Sequence, residues 1–290
     1  MPRFVSFALL VALLGGLTPP ARLAIAADGA IKGQRVFSAG HSFHMPMPGP
    51  LDQIAKQAKV DGHKIAGTQG LGGSTVTQHW NLADDKDKCR KALKTGDVDV
   101  LTLSPHLNMP DDAIDKFTAL MLEHNPKGRV LIQMSWFPYD TLPEKGKKFE
   151  NANRDDNKPD ELRKGVWNVW LVKFREQAKT LNETHKKEVV FVVPVGEAVL
   201  KLRERVIKGE VPGYAKQSDL FTDPIGHGKA PIAWLTAYCH FAVIYGKSPV
   251  GLPVPDSLKR EKDAEKLVKE LQEAAWAAVV EEPFSGVKAK

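Results

Sequence analysis

Short apolar runs rich in Val, Ile and Leu alternate along this chain with longer segments whose apolar residues recur every 3.6 positions. No other feature limits the fold as tightly, because the two periods demand different backbones. The runs at 35–38, 63–67, 98–103, 129–134 and 188–193 read as strands, most of them closed by Gly, Pro or Ser. The segments 50–60, 75–94, 111–123, 159–185 and 197–208 read as helices lying between and after them. Parallel strands need long crossovers, and a helix is the usual one. The expected architecture is therefore α/β: a three-layer α/β/α sandwich around a five-stranded parallel sheet.

Two further helices are expected near the C-terminus. The first, 229–245, carries Ala, Leu, Cys, Phe, Val and Ile on most of its faces and reads as buried. The second, 256–280, is amphipathic, and its run of Lys and Glu is a solvated face. The stretch 137–164 breaks the rhythm, since it is dense in Lys, Glu, Asp and Asn where a strand-to-helix connection normally takes a few residues. It reads as an insertion at the carboxyl end of a strand, either a substrate-facing lid or a solvated excursion.

The N-terminus follows a separate logic. Met1-Pro2-Arg3, an apolar run from Phe4 to Leu17, and Ala24-Ile25-Ala26 have the order of a signal peptide with its small-residue cleavage site. The apolar run is shorter than the roughly 20 residues that span a bilayer comfortably. The expectation is a signal peptide over 1–26, a single domain over 27–290 and a periplasmic or extracellular protein with no stable membrane insertion after cleavage. Removing 1–26 takes Arg3 and Arg22 and no acid from a chain of net charge +6, leaving 39 basic and 35 acidic residues. Lys and Glu alternate through the helices with no basic stripe interleaved with aromatics, so no nucleic-acid partner is expected. Two Cys exclude a disulfide scaffold and a multi-cysteine metal site. For Cys89 and Cys239 themselves, a disulfide and two buried thiols both remain open.

In an open parallel sheet, reactive groups gather beyond the carboxyl ends of the strands. After the first strand stands Gly40-His41-Ser42-Phe43, which sets a hydroxyl at the crevice, although Ser42 could equally cap the next helix. After the second comes Gly67-Thr68-Gln69-Gly70-Leu71-Gly72-Gly73-Ser74, whose glycines let backbone N–H groups approach a developing anion. The lysine of a phosphate-binding loop is absent, so an oxyanion site fits better than a nucleotide site. After the third strand, the Asn108 amide could donate to the same oxyanion. Between 219 and 228, Asp223 precedes His227 on one loop, a pair able to orient and charge an imidazole beside a serine nucleophile.

Taken together, Val36-Phe37-Ser38-Ala39-Gly40-His41-Ser42-Phe43, Gly72-Gly73-Ser74-Thr75 through His79-Trp80, and Asp223 with His227 resemble the blocks of the SGNH (GDSL-type) hydrolases, in the branch with a Gly-x-Ser-Phe nucleophile block. The resemblance runs from Arg35 to about Pro253 and implies the flavodoxin-like form of the three-layer sandwich. By position it implies Ser42 as nucleophile, His227 as general base and Asp223 as its orienter. It also implies an oxyanion hole from the Ser42 and Gly73 N–H groups with Asn108. Departures are visible: Leu107 and Met109 flank Asn108 where the family has Gly before and Asp after, three residues instead of two separate Asp223 from His227, and His41 replaces an acid or amide.

His41 and His44 flank Ser42, but without a third ligand at a recognisable spacing they define no metal site, and no cofactor is expected. His41, His79, His106 and Trp136 are candidate substrate contacts, and His240 in its apolar helix reads as a core histidine. The expected activity is that of an exported serine esterase, acting on a carbohydrate or other small ester. A non-catalytic protein holding a glycan or small ligand in the same crevice is the alternative. The oligomeric state is left open.

Overall fold

The computed structural model describes Met1 and residues 31–107, 109–141 and 153–288. The expected signal peptide, Asn108 and the middle of the 137–164 insertion thus lie outside the described residues.

Five strands occur in the expected order: β1 (Arg35–Gly40), β2 (Lys64–Gly70), β3 (Val100–Ser104), β4 (Arg129–Gln133) and β5 (Val190–Val193). All neighbours are parallel and the spatial order is β2-β1-β3-β4-β5. Every residue of β3 is buried, and so are Val36 to Gly40 of β1. Helices cover both faces of these central strands, which explains why they are apolar runs and not alternating ones. The edge strand β2 is mostly half-exposed and has the polar pattern of an edge.

The helices among the described residues are α1 (Pro48–Gln57), α2 (Val76–Trp80), α3 (Cys89–Lys94), α4 (Asp112–His124), α5 (Pro159–Leu162), α6 (Asn168–Thr184), α7 (Val195–Ile207), α8 (Ala230–Tyr245) and α9 (Ala264–Glu281). One face of the sheet carries α1, α7, α8 and α9; the other carries α2, α3, α4 and α6. This is the three-layer α/β/α sandwich. Thirteen of the sixteen residues of α8 are buried, because α1, α7 and α9 all pack on it. Its all-round apolar composition follows.

Three helix expectations need correction. The segment 75–94 is two helices, because the amide oxygen of Gln69 accepts the Lys88 and Cys89 N–H groups at 2.7 and 2.9 Å and restarts the chain as α3. The segment 159–185 contains a π-helical turn at Arg163–Trp167 between α5 and α6. The last helix begins at Ala264 instead of 256, since Asp263 at φ 45° caps it by accepting the Lys266 N–H at 3.4 Å.

The described part of the insertion is anchored by charge. Asp140, 4% exposed, accepts from Arg154 at 2.6 Å and from Arg203 of α7 at 2.7 and 3.0 Å. Asn157 adds a further bond at 2.9 Å. One carboxylate thus bridges two buried guanidinium groups, and carbonyl oxygens take further N–H bonds from both.

Candidate active site

The strand order places the switch point between β1 and β3, where successive connections leave in opposite directions and open a crevice at the carboxyl ends. Gly40 ends β1 there. A Cβ on Gly40 would meet the Ser104 Cβ at 2.9 Å and the His44 ring at 3.0 Å, so glycine is required by close approach of the two strand ends. The chain then turns, with the His44 and Met45 N–H groups donating to the His41 carbonyl at 3.0 and 3.1 Å. His41 is locked inward: its Nδ1 accepts the Phe43 N–H at 3.2 Å and its Nε2 lies 3.0 Å from the Ser104 hydroxyl. Burial, together with His106 and His44 nearby, lowers the His41 pKa to about 3. Ser42, between two inward-turned residues, faces the crevice half-buried.

The structure brings Ser42, His227 and Asp223 into one hydrogen-bonded line. The Ser42 Oγ is 2.9 Å from His227 Nε2, and His227 Nδ1 is 2.6 Å from Asp223 Oδ2. The other Asp223 oxygen accepts the Gly226 and His227 backbone N–H groups at 2.8 and 3.1 Å. Partial burial pushes the Asp223 carboxyl up, but the bonds from the His227 ring and the two amides outweigh it and hold the group below the usual carboxylate range. An ionised Asp223 keeps the Nδ1–H tautomer of His227, leaving Nε2 bare toward Ser42.

The extra residue between Asp223 and His227 is absorbed by specific bonds. Arg154 donates to the Pro224 and Ile225 carbonyls at 3.0 and 2.9 Å, and the Tyr139 N–H also donates to Ile225. Trp136 Nε1 donates to the Gly226 carbonyl at 2.8 Å. Gly226 has φ 107°, and a Cβ there would sit 2.5 Å from the Arg154 guanidinium. The described part of the insertion and the Asp223–His227 loop are thus joined by these bonds, which spacing alone could not show.

A cavity of about 350 Å³ opens beside Ser42 and His227. Phe43, Leu107, Trp136, Phe137, Trp170 and Ile225 supply its apolar walls. Among the site residues named from sequence, His41, His106, Trp136 and Gly73 line it, the last with φ 63°. Burial lowers the His106 pKa as well. Trp136 is stacked on Phe43 with ring centroids 4.6 Å apart, so one face of its indole is covered.

His79 lies elsewhere. It is buried under the glycine loop, with Nε2 2.8 Å from the Ser74 hydroxyl and Nδ1 3.2 Å from the Gln69 amide, and does not line the cavity. Its sequence position after the glycine loop suggested a crevice residue, but the turn into α2 points it inward. His44 likewise serves the interior, between Gln133 at 2.6 Å and Thr102 at 3.0 Å. His240 donates from Nδ1 to the Thr236 carbonyl at 2.9 Å within the core. Cys89 and Cys239 are both buried free thiols.

Sequence reasoning passed over Ser104, Gln133, Ser135 and Arg154. The first three sit at the carboxyl ends of β3 and β4, the position that drew attention to Ser42, and that placement was the available signal. Nothing local marks Arg154, whose carbonyl partners on the Asp223–His227 loop lie about 70 residues away.

Comparison with known proteins adds the fold. No family model and no curated protein matches the sequence. The crystal structure of a DUF4886 family protein from Bacteroides uniformis superposes with a TM-score of 0.55 at 13% identity, covering 89% of this chain and 98% of that one. A candidate GDSL-like lipase from Parabacteroides merdae is similar at a TM-score of 0.45 and 12% identity, over 75% of this chain and 99% of that one. The shared architecture rests on the first. The chain is thus a three-layer α/β/α protein with a Ser–His–Asp line at the switch point of its sheet.

Proposed function

We infer that the protein is an ester hydrolase of the SGNH type, with Ser42 as nucleophile. The observation that carries this reading is the continuous line from Ser42 through His227 to Asp223, with links of 2.9 and 2.6 Å, at the mouth of an apolar cavity.

His227 Nε2 takes the Ser42 proton as Oγ attacks the acyl carbon, and the Ser42 and Gly73 N–H groups hold the resulting oxyanion. Asn108 is the third donor by family resemblance. Collapse of the intermediate breaks the bond to the alcohol oxygen, which receives the proton from His227. Water then attacks the acyl-enzyme, with His227 again accepting a proton and returning it to Ser42 as the acid leaves. Asp223, held as a carboxylate, stabilises the imidazolium in both halves.

The aromatic and aliphatic walls favour an ester with an apolar moiety seated in the cavity. The covered indole face of Trp136 is not free to stack on a sugar ring. The sequence of residues 1–26 supports export, and N-terminal sequencing of secreted protein should then begin at Ala27.

A fluorophosphonate probe tests the reading directly. It should label the unaltered protein and not Ser42→Ala, and p-nitrophenyl esters should be cleaved only by the former. Absence of both labelling and turnover in folded protein would reject the hydrolase.

A further inference from the structure

A buried polar chain runs beneath the cavity, and its proton positions can be worked out from its fixed ends. The Phe43 N–H can only donate, so the His41 Nδ1 it reaches at 3.2 Å must be bare and the His41 proton resides on Nε2. That proton faces the Ser104 hydroxyl at 3.0 Å, with the Pro105 carbonyl beside it, so Ser104 cannot donate to this nitrogen. Ser104 is fully buried, and among the described residues the acceptor left for its own proton is the Ser135 Oγ at 3.3 Å.

The second fixed end is the Phe43 carbonyl, which can only accept. It lies 3.3 Å from the Gln133 amide nitrogen and so sets the orientation of that amide. The remaining Gln133 N–H points at the Ser135 Oγ at 2.7 Å. Ser135 therefore accepts twice, from Ser104 and from Gln133, which fills both lone pairs of its hydroxyl. Among the described residues only its proton is uncommitted, and Ser135 lines the cavity beside Ser42.

We propose that Ser135 is a specificity-determining residue, whose hydroxyl donates a hydrogen bond to an oxygen acceptor carried within the otherwise apolar ester moiety that fills the cavity. The proposal rests on the hydrolase reading above. Its physical basis is that a buried donor beside the aromatic walls is left unpaired by a plain hydrocarbon and satisfied by a chain with an ether, carbonyl or hydroxyl oxygen at the right depth. The substrate class is thus an apolar ester bearing an internal oxygen function.

The test uses the full chain with p-nitrophenyl hexanoate and its three isosteres in which the third, fourth or fifth chain carbon is replaced by oxygen. For each ester, kcat/KM is divided by its rate of hydroxide-catalysed hydrolysis, which removes intrinsic reactivity. The unaltered protein should favour at least one oxa-ester over hexanoate, by about fivefold or more, and Ser135→Ala should abolish that preference. A purely structural role for Ser135 would lower all four esters alike and leave the ratios unchanged. Equal normalised rates across the series in the unaltered protein would overturn the proposal even if Ser135→Ala failed to fold. Unchanged ratios in a folded variant would overturn it too. Both results leave the hydrolase intact, whereas no turnover and no fluorophosphonate labelling would remove that reading first and this assignment with it.

Discussion

His227 Nε2 lies 2.9 Å from the Ser42 Oγ although 185 positions separate the two residues in sequence. One sits on the turn after the first strand and the other on a loop before the buried helix α8, so their contact is a product of the crossovers. Residues that act as one unit give non-additive losses. Ser42→Ala and His227→Ala should each lower kcat on a p-nitrophenyl ester by about 10⁴-fold or more. The double variant should be no slower than either single one, and a multiplicative loss would show that the two residues do not act in one step.

Arg154 is expected to act as a positioning residue. Its guanidinium holds the Pro224 and Ile225 carbonyls, and Asp140 keeps Arg203 as a partner if Arg154 is removed. Arg154→Met should lower kcat by about tenfold or more through misplacement of His227, with KM changed far less. Arg154→Lys, keeping charge but not the fork, should recover only part of it. Steady-state kinetics and a thermal melt on each variant decide whether the loss is catalytic or one of folding.

Acid stability should be set in part by histidines. Burial lowers His41 and His240 to about 3 and His44 to about 4, from an ordinary 6.5. Above pH 6.5 the folded and unfolded chains both carry these rings neutral, and stability is complete. Between 6.5 and about 4 the unfolded chain binds more protons, so stability falls as pH falls, by about 1.4 kcal/mol per pH unit per histidine. Urea midpoints at pH 7.5, 5.5 and 4.5 should decrease in that order, and a flat series would refute neutral burial of these rings.

Two glycines should differ sharply in tolerance. At Gly40 a methyl would meet the Ser104 side chain, while at Gly72 it would enter open space with no left-handed backbone to strain. Gly40→Ala should cost about 1–3 kcal/mol in chemical denaturation and disturb the turn that carries Ser42. Gly72→Ala should be nearly neutral by the same measurement.

The cysteines should be silent in the native state. Both thiols are buried, and desolvation raises their pKa, so the thiolate is scarce as well as inaccessible. A thiol-reactive chromogen should titrate neither in folded protein and both in denaturant. Rapid reaction of either in the native protein would contradict the packing around α3 or α8.

Element identity was legible where local periodicity and tertiary burial agree. The five strands are in their expected places to within a few residues, and α8 is as enclosed as its composition implied. One error fell where a distant polar group took over the backbone. Gln69 restarts the chain at α3 by accepting two N–H groups some 20 residues away, a bond with no signature in the 75–94 pattern.

By itself the sequence determined the parallel sheet, the candidate status of Ser42, Asp223 and His227, and the glycine loop, because these depend on residue type at the end of a recognisable element. Only the tertiary structure decided that His79 turns inward and that Arg154 and Trp136 brace the long Asp223–His227 loop. It also decided that Ser135 lines the cavity, within reach of Ser104 and Gln133. Hydrogen-bond direction is fixed by which groups meet across strands and loops, and a linear chain does not encode that meeting at any one position.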